Sequence, residues 1–243
     1  MTSRREETWR DLSVGGDRAL VRRLGSATMS FAAGPAIGEP DRTHRLSMIG
    51  KAQPDELRSI THCRQVHGST VHRIGGESGA IEMVGDGDGL VTDQPGRGLL
   101  IWTADCVPVL LATHGVVAAV HSGWRGSAAD VVKVAVSVLV KGYGATPGDL
   151  HVALGPSVCG RCYRVGSEVP EALAPFGLDE HRWLSGDHVD LRGFLAARLE
   201  ALGVAAENIE TVGGCTVESP DLASFRRDGA AAGRQWSMVF LIP

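Results

Sequence analysis

The first sign of chemistry is a cysteine and a histidine at the edges of the most apolar region. Cys106 precedes the run 107–113, His121 ends the run 116–121, and Thr113-His114-Gly115 spans the gap between them. Two β-branched and Leu-rich runs split by so short a turn predict an antiparallel hairpin. A two-residue turn at Thr113-His114 pairs Ala112 with Gly115, and therefore Cys106 with His121. Their Cβ atoms would then lie about 5 Å apart on one face. A thiolate and an imidazole so placed are half of a tetrahedral zinc site. A slip of one residue would send them to opposite faces. For a third ligand, His62, His67 and His72 recur every five residues, and in an extended chain His67 faces away from the other two. His67 is followed by Gly68, which lets other backbone approach closely. Taken alone, a histidine is more often a hydrogen-bonded surface residue and a free cysteine a small buried hydrophobe.

Other polar residues flank this set. Asp105 precedes Cys106 in an apolar setting, either as a satisfied structural carboxylate or as a group orienting a metal-bound water or a ligand imidazole. Arg125 follows Gly123 at the opening of a helix, where a guanidinium and free amides suit an anion; the alternative is a solvent-facing arginine. No Walker Gly-Lys-Ser/Thr element is present. Cys159 and Cys162 form one CxxC without a second pair, which reads as local packing. Arg226-Arg227-Asp228 reads as a solvated turn.

The elements that must position these residues follow from periodicity. Short strands are expected near 19–24 and 27–31, then a loosely alternating strand over 59–73 with a turn or bulge at Gly68. Residues 98–103, 108–113 and 116–121 read as buried antiparallel strands. A helix over 127–141 ends at Gly142 and Gly144, and a strand covers 150–154. Over 190–202 the residues Leu191, Phe194, Leu195, Leu199 and Leu202 share one helix face. Further strands are expected at 209–215 and 236–241. The sum is one α+β domain with a mixed, largely antiparallel sheet and flanking helices.

Composition narrows the function. A chain of 243 residues with 43% hydrophobic and 21% charged residues is ordinary for a globular protein. Net charge −4 and 5% aromatics leave no electrostatic or stacking footprint for nucleic acid, and none for a membrane surface. The stretch 107–120 is interrupted by Pro108, His114 and Gly115 and is too short to span a bilayer. The opening residues MTSRREETWRDL carry no apolar signal core, and five cysteines are an odd number. Both features predict reduced thiols and a cytoplasmic setting.

Four runs carry a resemblance: Arg64-Gln65-Val66-His67-Gly68, Thr103-Ala104-Asp105-Cys106-Val107-Pro108-Val109, Ala119-Val120-His121-Ser122-Gly123-Trp124-Arg125-Gly126, and Gly155-Pro156-Ser157 through Cys162-Tyr163. With the tail Ser224-Phe225-Arg226-Arg227-Asp228-Gly229 and Gly233-Arg234, they resemble the multicopper polyphenol oxidase, or laccase-domain, family. That family is also described as peptidoglycan-editing-factor or purine-nucleoside-phosphorylase-like. The match runs from about residue 60 onward, so 56–243 is expected to be the laccase-domain-like core and 1–55 a divergent N-terminal segment of the domain.

The resemblance implies a zinc held by His67, Cys106 and His121. On this reading Cys106 and Asp105 are expected in catalysis, Gln65, Arg125 and Tyr163 on the substrate, and the Arg226-Arg227-Asp228 cluster lining or bracing the cleft. The implied partners are a purine nucleoside and phosphate: phosphorolysis of adenosine, inosine or methylthioadenosine, with adenosine deamination as a further activity. The H-x-E…P-C-x-x-C signature of nucleobase deaminases is missing. Three alternatives stand beside this reading. One is a copper-dependent phenol oxidase, although the sequence has none of the His-x-His pairs in which four-copper laccases are rich. Another is a hydrolase editing peptidoglycan precursors with Cys106 as nucleophile. The last is a zinc-stabilised interaction module without catalysis. The chain departs from the family near residues 31–46, which lack a Leu-Asn-Leu segment and an Asn-Arg pair. It also carries Gly89 for a usual alanine and Arg164 for a usual acidic residue.

Overall fold

Alternation with period two makes each central strand face two different cores, and this divides the molecule into layers. The computed structural model describes residues 8–14, 17–33, 46, 47, 49, 56–77 and 79–243. In chain order the strands are β1 (Arg10–Val14), β2 (Asp17–Leu24), β3 (Ala27–Ala33), β4 (Ser59–Arg64), β5 (Val71–Ile74), β6 (Ile81–Asp86), β7 (Gly89–Thr92) and β8 (Arg97–Thr103). They continue with β9 (Val107–Thr113), β10 (Val116–Ser122), β11 (His151–Leu154), β12 (Leu184–Ser185), β13 (His188–Val189), β14 (Ile209–Thr211) and β15 (Gln235–Leu241). The helices are α1 (Trp124–Ala128), α2 (Val131–Tyr143), α3 (Glu168–Leu173), α4 (Leu191–Ala201) and α5 (Phe225–Asp228).

Seven strands form one sheet in the order β1-β2-β3-β15-β8-β4-β6, and six form a second in the order β14-β11-β9-β10-β7-β5. Between the sheets, Leu99, Ile101 and Val239 meet Leu110, Val117 and Ala119. The alternate residues of the second sheet, such as Leu111 and Ala118, pack under Val132, Val136 and Leu139 of α2 and Phe194 and Leu199 of α4. On the far side of the first sheet, Leu100, Trp102, Trp236 and Phe240 build a third core. The α+β class holds, with parallel β4–β8, β4–β6, β5–β7 and β11–β14 pairs among antiparallel ones. No described helix is long and apolar enough to cross a membrane.

Several expectations are corrected by where the chain bends. The strand expected over 59–73 is two strands in different sheets, β4 and β5, because His67 turns the chain at φ 60. Strand 98–103 does not pair with the hairpin that follows it; Asp105, at φ 86, carries the chain from β8 in one sheet to β9 in the other. β6 and β7 make the same passage between sheets. The helix expected over 127–141 is α1 and α2, broken at Asp130 (φ 58), whose carboxylate receives the Arg198 guanidinium at 2.7 and 3.0 Å. The strand expected over 209–215 stops at Thr211. Much of the divergent stretch at 31–46 lies outside the described residues, but β1–β3 complete the seven-stranded sheet.

Gly155, donating its N–H to the Pro108 carbonyl at 2.8 Å, shows how tightly the sheets meet at this end. A Cβ there would overlap the Phe31 ring and lie 2.7 Å from Pro108 Cγ. Phe31 is fully buried and has nowhere to move. Gly155→Ala is therefore expected to destabilise by about 1–3 kcal/mol through overpacking. Urea unfolding checks this, and an unchanged midpoint would contradict it.

Candidate active site

All three bends between the sheets lie at one end of the inter-sheet core, and the chemistry-bearing side chains meet there. His121 continues the row of Val117 and Ala119 that faces the first sheet. The hairpin register differs from expectation. The turn is His114-Gly115, with Gly115 at φ 77, so Thr113 pairs with Val116 and His121 pairs with Pro108. Glycine takes the positive-φ turn position that threonine resists. The shift is two residues, which preserves the face, and Cys106 lies just outside β9 beside Gly123. A Cβ on Gly123 would stand 2.8 Å from Cys106 Sγ and 3.2 Å from His67 Cδ2, so glycine is what lets these donors close on one another.

The donor atoms of His67, Cys106 and His121 all lie within 4.8 Å of one another. Cys106 Sγ is 3.9 Å from His67 Nε2. A tetrahedral zinc has S···N edges of roughly 3.6 Å from its usual bond lengths. Two imidazoles and a thiolate at this spacing fit a borderline-soft divalent metal, with a fourth coordination position left for water or substrate.

Asp88 organises the set, and it escaped the sequence reading. Its carboxylate is fully buried. It accepts from the backbone N–H groups of His67 at 2.9 Å and Gly68 at 2.7 Å, and from the His121 ring Nδ1 at 2.8 Å. One carboxylate thus holds the left-handed His67 loop and turns the other nitrogen of His121 toward Cys106. The available signal was a carboxylate between Gly87 and Gly89 ahead of an apolar strand. Cβ atoms on those glycines would meet His72 at 2.6 Å and Val71 at 2.7 Å.

The charges are mutually supporting. Burial pushes the Cys106 thiol up, but hydrogen bonds and positive charge from His121 and His67 outweigh it and bring the group down to about 6. Burial pushes His121 down, and Asp88 and Cys106 more than reverse this, to about 9. Burial also opposes ionisation of Asp88, but His121 and the Gly68 amide hold that carboxyl below its usual range. A thiolate is therefore ready at neutral pH, and metal binding displaces the imidazolium proton.

A cavity of about 790 Å³ opens on these donors, with Gln65, Asp105, Trp124, Arg125, Tyr163 and Arg226 in its wall. Of the two expectations for Asp105, the satisfied structural carboxylate matches its contacts, while the imidazole of His121 is oriented by Asp88. Asp105 accepts from Thr216 Oγ1 and from the Arg226 N–H, both at 2.6 Å, and so fixes the start of α5. Gln65 lines the cavity, yet its amide is tied to the backbone of Trp102 at 2.6 and 2.8 Å. Arg125 stacks on the Trp124 ring at 4.2 Å and Arg226 on Tyr163 at 5.1 Å. Because α1 is only five residues long, the cationic character here comes from guanidiniums, Arg125, Arg226 and Arg234, rather than from helix amides. Arg226 lines the cavity, as the family resemblance implies for that cluster, rather than standing in a solvated turn. Arg164 pairs with Asp187 at 2.5 Å. Tyr163 is pushed up to about 12 by burial and the neighbouring Cys106 charge, which leaves its phenol a neutral donor.

Residues 42–242 match the family described as multi-copper polyphenol oxidoreductase laccase. A purine nucleoside phosphorylase of Deinococcus radiodurans is 40% identical over 162 residues, which are 64% of this chain and 62% of that protein. One of Streptomyces coelicolor is 40% identical over 213 residues, 84% of this chain and 86% of its own. Among solved structures, Bacillus licheniformis YfiH superposes with a TM-score of 0.84 at 23% identity, covering 96% of this chain and 98% of its own. YlmD of Geobacillus stearothermophilus gives 0.82 at 24%, covering 98% of this chain and all of that one. These two share the fold. With a match that covers well over half of its length, the chain belongs to the multi-copper polyphenol oxidoreductase laccase family.

Proposed function

We propose that this chain is a purine nucleoside phosphorylase whose metal is zinc held by His67, Cys106 and His121. The observation that carries the reading is the convergence, on one cavity, of a three-donor metal set with Arg125, Arg226 and Tyr163. Relatives named purine nucleoside phosphorylase at about 40% identity support the substrate class. A cavity of about 790 Å³ suits a nucleoside with phosphate beside it. The core at 56–243 carries the reaction, with 1–55 as an N-terminal segment of the same domain.

In phosphorolysis a phosphate oxygen bonds to the ribose anomeric carbon as the glycosidic C–N bond breaks, and the bonding pair leaves with the purine nitrogen, which takes a proton. Arg125 and Arg226 offer the cationic forks that hold phosphate against that carbon. The stacking of each on an aromatic ring limits its freedom before substrate arrives. The neutral Tyr163 phenol donates to a sugar or purine acceptor. Asp105 positions Arg226 through its backbone. When bound, zinc supplies Lewis acidity at its open position. Inosine and methylthioadenosine fit the same chemistry, and adenosine deamination is a second activity to be sought.

Incubating the protein with adenosine, with and without phosphate, and separating products by chromatography tests this. Adenine with ribose 1-phosphate, formed only with phosphate, is the expected result. Inosine or hypoxanthine in both buffers would replace phosphorolysis with deamination. No turnover of adenosine, inosine or methylthioadenosine would overturn the reading.

A further inference from the structure

Cys159, Cys162, Cys215 and Glu218 come together outside the cavity donors, with one ligand atom from each within 4.8 Å of the others. Glu218 Oε1 lies 3.6 Å from Cys162 Sγ and 4.0 Å from Cys159 Sγ. A tetrahedral zinc bound through sulfur and carboxylate oxygen has S···O edges of roughly 3.6 Å. The four residues come from two loops. Cys159 and Cys162 flank a tight turn, closed by the Cys162 and Tyr163 N–H groups donating to the Cys159 carbonyl at 3.0 Å. Cys215 begins a second turn, in which the Ser219 N–H donates to its carbonyl at 3.0 Å. The loops meet where the Thr216 N–H donates to the Ser157 carbonyl at 3.1 Å and the Cys159 N–H to Cys215 Sγ at 3.3 Å.

We propose that these three thiols and one carboxylate form a second, structural metal site for a zinc-class ion. Four protein ligands close the coordination sphere, unlike the three-donor set in the cavity. A bound ion would take the place of the thiol protons. Arg161 holds Glu218 at 3.0 and 3.2 Å, fixing the carboxylate beside the sulfurs. This extends the sequence reading of Cys159 and Cys162 as packing residues: the partner of the CxxC is a single cysteine and a glutamate more than fifty residues away. The site pins the loop that carries Tyr163 into the cavity wall to the loop that carries Thr216, the donor to the cavity residue Asp105.

The test is metal content by native mass spectrometry on protein purified under reducing conditions without chelator. Cys106→Ala protein is expected to retain one tightly held ion, and Cys106→Ala combined with Glu218→Ala to hold it far more weakly. Cobalt loaded into the Cys106→Ala protein should give intense near-ultraviolet sulfur-to-metal absorption, since the one other cysteine, Cys63, is a buried thiol that donates to the Gly87 carbonyl at 3.0 Å. Cys106→Ala protein that is folded but metal-free, with no such absorption, would overturn the proposal. So would a mass two protons lighter, the mark of a disulfide among these cysteines. Neither result depends on the nucleoside chemistry proposed for the cavity.

Discussion

Cys106→Ala is expected to lower phosphate-dependent cleavage of adenosine by at least about a hundredfold while leaving the protein folded. A Lewis acid contributes several kcal/mol to a transition state, and each 1.4 kcal/mol is about tenfold in rate. The variant removes the only sulfur of the cavity donor set, and two imidazoles alone hold a divalent ion poorly. The fold should survive because Cys106 lies in a bend at the cavity wall, outside β9 and outside the three apolar cores. Chromatography of the products and a thermal melt, side by side, check both halves. An inactive variant that also unfolds would mean that this metal stabilises the chain, as in an interaction module. A folded variant with full activity would remove the metal from the mechanism.

Asp88→Asn is expected to weaken metal binding by about 10–100-fold, the usual effect of losing a carboxylate behind a ligand histidine. The native carboxylate only accepts, so the His121 Nδ1 facing it keeps its proton and the opposite nitrogen is the one that gives up its proton to a metal. An asparagine presents one accepting and one donating end to four donors: the Val66, His67 and Gly68 amides and the His121 ring. Whichever way it turns, an N–H faces a partner that also donates. Either the His67 loop loses its anchor or His121 takes the wrong tautomer. Competition against a chelator of known affinity measures the loss. Wild-type affinity in a folded Asp88→Asn protein would show that the His67 loop and the His121 ring hold their places without this carboxylate.

Much of this was legible because central strands announce themselves by composition. The hairpin of β9 and β10, strands β2, β3 and β15, and helix α4 each bury a periodic face, and all fall close to where the periodicity puts them. His67, Cys106 and His121 do converge. What periodicity could not show was the change of sheet within a run. A strand entering a bend looks the same whether the chain folds back on its neighbour or crosses to another layer. His67 and Asp105 make those bends with positive φ, a conformation side chains other than glycine rarely adopt, and no glycine marked it. Asp88 was missed for a related reason: its value lies in partners about twenty and thirty-three residues away, invisible to any local pattern.

The three passages between sheets, at His67, Asp88 and Asp105-Cys106, also fix an order of assembly. Each passage is pinned at one end in the seven-stranded sheet and at the other in the six-stranded one. The full donor set can therefore be in place only when both layers have met. Conversely, any fluctuation that pries the layers apart spreads three anchors at once.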